Sequence, residues 1–159
     1  MSTRQAVEAG RIGRVGREEP VRPAAAVTRA ARLAPLAAVV LAHLAVSMVH
    51  GAAHSGAQVA LGPAGAAFVY LVILAGPLVG LAVAWRLPQL GSAVVAATMA
   101  GSLAFGLVNH FIIQGTDHVA HVAPAWRTLF ASTAALLAVV EAAGTAIGVR
   151  TAVRARRTS

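Results

Sequence analysis

The sequence predicts an all-α integral membrane protein, a four-helix bundle with cytoplasmic N- and C-termini. Three observations lead there. The chain of 159 residues is 58% hydrophobic and only 11% charged. Its apolar residues gather into four runs, residues 33–53, 66–85, 90–113 and 128–149, each close to the ~20 residues that a helix needs to cross the hydrocarbon. All 13 basic residues are arginines, and nearly all lie at the two ends or in one short turn. None of the runs alternates as a strand would, and inside lipid the backbone must satisfy its own hydrogen bonds, so helices are expected.

Residues 1–32 carry Arg4, Arg11, Arg14, Arg17, Arg22, Arg29 and Arg32 and read as a disordered basic tail beside anionic lipid. They hold no nucleic-acid-binding motif, so nucleic acid is not an expected partner. A cleavable signal peptide is not expected either, because the basic region is over-long and the apolar run after it contains histidine. The first run holds His43, His50 and His54. A Gly- and Ala-rich loop, residues 55–65, leads to the second run, where Gly76 and Gly80 would let helix backbones approach and Pro77 predicts a kink. Residues 86–89 form a tight turn at Pro88. The third run ends in a polar group, His110, Asp117, His118 and His121, and the connection to the fourth run contains Pro124 and the interfacial anchor Trp126. The fourth run contains Glu141, Gly144 and Gly148, and residues 150–159 form a second basic tail with Arg150, Arg154, Arg156 and Arg157.

Every arginine except Arg127 falls on one side of this topology, which by the positive-inside rule is the cytoplasm. The expected organisation is a tail (1–32), a transmembrane domain (33–149) and a tail (150–159), multi-pass in the cell membrane. A chain without cysteine excludes disulfides, thiolate metal sites and thiol redox chemistry.

The ionisable groups inside these runs are the functional candidates, since such residues are costly in a membrane and tend to serve function. His43, Ser47, His50 and His54 follow the spacing i, i+4, i+7, i+11, and His110, Gln114, Asp117 and His121 repeat it, a hint of duplication. On a continuous helix either set forms a stripe on one face. At ~1.5 Å per residue, His43 lies about 16 Å from the cytoplasmic end and His110 about 31 Å, which makes His54 and His110 level partners. His50, His54, His110, Asp117, His118 and His121 therefore gather at the outward end. Neutral imidazoles with a carboxylate are a ligand set for zinc, copper or nickel, and His50 with His54, or His118 with His121, would chelate together. Glu141 sits about 13 Å from Arg150, near the depth of His43, and the two form a candidate midplane ion site or proton relay.

His110 followed after six residues by Asp117-His118 resembles a stretched form of the His-x4-Asp-His signature of nickel and cobalt permeases. The spacing here is two residues longer and the motif lies on the third of four helices; the likeness covers nine residues and does not assign the family. Ser47 and His50 with Asp117, His118 and His121 are also similar to the polar set of membrane ceramidase-like hydrolases, which are larger and spaced differently.

The expected function is binding of a transition-metal ion at the outward cluster, with transport or hand-over to a partner, in a homo-oligomer or beside another membrane subunit. The alternatives are a metal-dependent membrane enzyme activating water, a haem b protein with His54 and His110 as axial ligands, and a structural membrane subunit. A non-enzymatic role is favoured over an enzymatic one.

Overall fold

The computed structural model describes residues 23–157. Every regular element among them is helical, and four helices are long and apolar enough to cross a membrane: α1 (Pro23–Gly56), α2 (Pro63–Ala84), α3 (Pro88–Ile112) and α4 (Pro124–Arg157). Each opens on a proline. That ring fixes φ near its helical value, and its missing N–H falls where a helix has no acceptor to offer. The α1–α2 and α3–α4 loops meet at one end of the bundle, where His54 lies against Asp117. The α2–α3 turn and the start of α1 meet at the other, where Arg29 Nη1 donates to the Trp85 carbonyl at 2.9 Å. These are the distal and the terminal ends.

Two boundaries differ from the sequence expectation. Residues 23–32, expected within a disordered tail, are the first turns of α1, and Arg29 satisfies a carbonyl that the end of α2 leaves free. Arg4, Arg11, Arg14, Arg17 and Arg22, and with them the rest of the expected tail, lie outside the described residues. At the other end α4 continues to Arg157, so most of the second basic tail extends the helix.

The terminal half of the bundle is welded by small residues. A Cβ on Gly91 would run into the backbone of Ala84, and one on Gly148 would come within 2.9 Å of the Ala96 nitrogen and the Ser92 carbonyl. These glycines set backbone-to-backbone contact between α2, α3 and α4, the close approach by which small residues let apolar helices pack. Leu33, Leu36, Val40, Ala84, Val95 and Met99 fill the space between as the main core.

The distal half is looser. Pro77 cannot donate to the carbonyl one turn earlier, and the disturbance expected there takes the form of a π-helical stretch, Val69–Ala75. Toward the terminal end α2 buries Pro77, Gly80 and Ala84; toward the distal end, from Pro63 to Ala75, it buries nothing. A second small core, Ala53, Val122 and Phe130, ties α1, the α3–α4 loop and α4 together at that end.

Candidate metal centre

Three helices and a loop deliver the polar groups to one place. α1 presents His50 and His54 one turn apart. α3 closes with a second π-helical turn, Val108–Ile112, which holds His110 buried on the inner face. At Ile113 the backbone becomes extended, so the expected helical stripe from His110 through Gln114 and Asp117 to His121 does not exist. The loop instead folds back, with Val119 N–H donating to the His110 carbonyl at 3.0 Å. That return brings Asp117 to His110 by a different route from the one its spacing implied.

His50, His54 and His110 each offer a ring nitrogen, and the three lie within 4.8 Å of one another. Beneath them the Phe130 ring touches all three imidazoles, with centroids 4.7 to 5.1 Å away. The closest pair is His50 Nε2 and His110 Nε2 at 3.2 Å. His110 thus meets both histidines of α1, and His54 is not its sole level partner.

The far side of each ring determines what that near contact means. The Thr133 hydroxyl has one proton, which goes to the Leu129 carbonyl at 2.7 Å. With that proton on Leu129, or on the Phe130 carbonyl at 3.1 Å, Thr133 accepts from His50 Nδ1 at 2.8 Å, and in neutral His50 so held the bare nitrogen is Nε2. His110 Nδ1 faces only acceptors, the Asp117 carbonyl at 3.1 Å and the Asp117 carboxylate at 3.3 Å. It too carries the proton on Nδ1 and leaves Nε2 bare. With both rings neutral in these tautomers, two lone pairs point at each other across 3.2 Å. They repel unless a proton shared between them or a metal ion beside both relieves the contact.

That separation matches a shared ion. Two nitrogens on one tetrahedral metal stand about 3.3 Å apart when each bond is ~2.0–2.1 Å. Histidines that ligate metals donate their other N–H to a carboxylate, a carbonyl or a similar acceptor, the arrangement that Thr133 and Asp117 provide. His54 Nε2 lies 3.3 Å from Asp117 Oδ1, while its Nδ1 is buried without a hydrogen-bond partner. Asp117, outside the spans, feels two opposed effects: burial pushes its carboxyl up, and the adjoining His110 outweighs that, leaving it below the usual carboxylate range.

His118 and His121 do not join this group. Their rings lie 5.3 Å apart in the loop, where His118 Nδ1 accepts from Ala120 N–H at 3.2 Å and His121 Nδ1 donates to the Gly115 carbonyl at 2.7 Å. They hold the loop's turns.

Deeper in the bundle the expected midplane pair does meet. His43 Nε2 is 3.8 Å from Glu141 Oε1, and the same oxygen accepts a hydrogen bond from Ser102. On the other side of its ring His43 Nδ1 lies 3.2 Å from Met99 Sδ. Thr133, Ser102, Met99 and Phe130 were not among the sequence candidates, yet each recurs at helical spacing with one that was. Phe130, Thr133, Leu137 and Glu141 share the buried face of α4, and Met99 and Ser102 share that of α3 leading to His110.

No protein-family model, curated protein or solved structure matches this chain.

Proposed function

We propose that this chain is a multi-pass membrane protein that binds one transition-metal ion through His50, His54 and His110 at its distal end. Asp117 and Thr133 hold two of the ligands in their metal-binding tautomers. The observation that carries the proposal is the convergence of His50 Nε2 and His110 Nε2 at 3.2 Å, each ring with a hydrogen bond on its opposite side. The arginine distribution makes the distal end the outward one, with both termini cytoplasmic. Imidazole ligands without thiolate favour zinc, copper or nickel.

The same distances weigh against haem. His50 and Phe130 pack within 5.1 Å of both the His54 and the His110 ring and fill the space that a porphyrin between them would need. Packing in the terminal half favours a fixed centre over a conducting path, since Leu36, Val40, Val95 and Met99 close the bundle beyond His43.

Metal analysis of protein purified without a His-tag tests the proposal. One ion per chain is expected, lost in His50→Ala and in His110→Ala. Full metal content in both variants would refute it.

A further inference from the structure

A cavity of about 670 Å³ opens from the metal centre down the distal half of the bundle, within the range of about 300–1,000 Å³ typical of small-molecule sites. One end is polar: His50, His54, His110 and Asp117 line it, and Ser47, Ser102 and Glu141 follow along one wall. Two buried polar atoms there, Ser47 Oγ and His54 Nδ1, have no hydrogen-bond partner among the described residues, and Asp117 Oδ1 has only the His54 and His110 nitrogens, each at 3.3 Å. Most of the remaining surface is aliphatic or aromatic. The cavity is amphipathic along its length.

It also has a side door. Met48 on α1 and Tyr70 on α2 both line the cavity, and both are more than half exposed at 62% and 66%. Between them α1 contributes Gly51 and Ala52, and a Cβ on Gly51 would meet nothing within 4 Å. The facing part of α2 buries no residue. The opening therefore gives sideways, and in the topology proposed above it faces the hydrocarbon on the distal side. What lies against such an opening in a membrane is lipid.

We infer that this cavity binds a lipid-like amphiphile entering between α1 and the distal half of α2, its chain along the aliphatic wall and its polar head at the His50–His54–His110–Asp117 end. An aliphatic chain alone would leave the unpaired polar atoms unanswered, and a second helix would cover the door without reaching them; a molecule with one chain and one hydrogen-bonding head satisfies both. The inference rests on the cavity and stands whether or not a metal occupies the centre. With a metal in place, the head's oxygen would lie where a further ligand completes the shell.

The test uses the full chain in vesicles of phosphatidylcholine and phosphatidylglycerol, doped with a phosphatidylcholine whose acyl chain ends in a photoreactive diazirine. Adducts mapped by mass spectrometry are expected on the cavity floor, at the buried Leu137 and at Leu103, as well as on outward-facing Val79 and Val139. Gly51→Phe fills the door where there is open space, so the fold is retained. Displacing even two buried methylenes weakens binding on the order of tenfold, and floor adducts should fall by that factor while those on Val79 and Val139 persist. Gly62→Phe, also in open space but outside the cavity, should change nothing. A floor left unlabelled, as it would be with a second copy seated there, overturns the inference, and so does labelling that Gly51→Phe leaves intact. Metal content measured on the same samples separates the two proposals: floor labelling without metal upholds this one and removes the other.

Discussion

Replacing Thr133 with valine tests the tautomer argument at its least conspicuous point. Valine keeps the branched shape and removes the acceptor that receives the His50 Nδ1 proton at 2.8 Å. The buried N–H loses its partner at a cost of about 1–3 kcal/mol, and His50 is free to place its proton on Nε2, the nitrogen that faces His110. Loss of such an outer hydrogen bond typically lowers metal affinity about 10–100-fold, or about 1.4–2.8 kcal/mol. Thr133→Ser keeps the hydroxyl and should bind within a few-fold of wild type. Competition titration against a chromophoric chelator, on detergent-solubilised protein without a His-tag, reads both. Wild-type affinity in Thr133→Val would refute the assignment. So would an equal loss in both variants, which would make Thr133 a packing residue only.

His118→Ala with His121→Ala should retain full metal content, because both rings are committed to loop turns; loss of the ion would return them to the ligand set. Metal affinity should fall as pH drops through the histidine range, since protons compete for the same lone pairs, and a flat profile between neutrality and pH ~5 would exclude imidazole ligation. Asp117, with its carboxyl held below the ordinary value, stabilises the fold fully above the unfolded value of ~3.9 and progressively less as pH falls through the lower folded value; Asp117→Asn should flatten that acid limb in thermal melts, and an unchanged limb would remove the carboxylate from the account. Gly91→Ala places a methyl group inside the Ala84 backbone and should destabilise by at least ~1–3 kcal/mol; a wild-type melting temperature would show that the α2–α3 contact yields. Glu141→Gln should leave metal stoichiometry unchanged, and proteoliposomes of wild type should show no metal flux; flux that the variant abolishes would instead make Glu141 part of a path.

Much of this architecture is legible in the sequence, and the misses have physical causes. Four membrane-length runs are visible because ~20 apolar residues in succession have few other uses. Their true starts are visible too, in Pro23, Pro63, Pro88 and Pro124, but counting apolar residues passes over a start signal that precedes the apolar stretch. His43 and Glu141 could be paired from depth alone, because both sit inside continuous helices where rise per residue is constant. The pairing of His110 with Asp117 came out through the wrong geometry: Gly115 and the polar residues around it end the helix, and the loop's return does what a stripe was expected to do. Thr133, Ser102 and Met99 could have been found by extending the buried faces of α3 and α4 in steps of three and four. The 3.2 Å convergence of His50 and His110 could not, since it depends on the axial offset of two helices and on two ring rotations.

The bundle's two halves divide the work along a line that the glycines draw. Where Gly80, Gly91 and Gly148 lie, backbones touch, and at Gly144 the Met99 side chain fills the gap, which yields a close-packed core with no room for a ligand. Beyond Gly76 and Pro77 the small residues stop facing one another, α2 passes through a π-helical stretch, and the space that opens is the space into which the histidines project. A π-helical turn also carries His110. Such turns cost hydrogen-bond geometry and recur at functional sites, and here both fall in the half that packs least. The looseness of the distal half is therefore better understood as room left for a guest than as poor packing, because the polar side chains of His50, His54, His110, Asp117, Ser102 and Glu141 all border it.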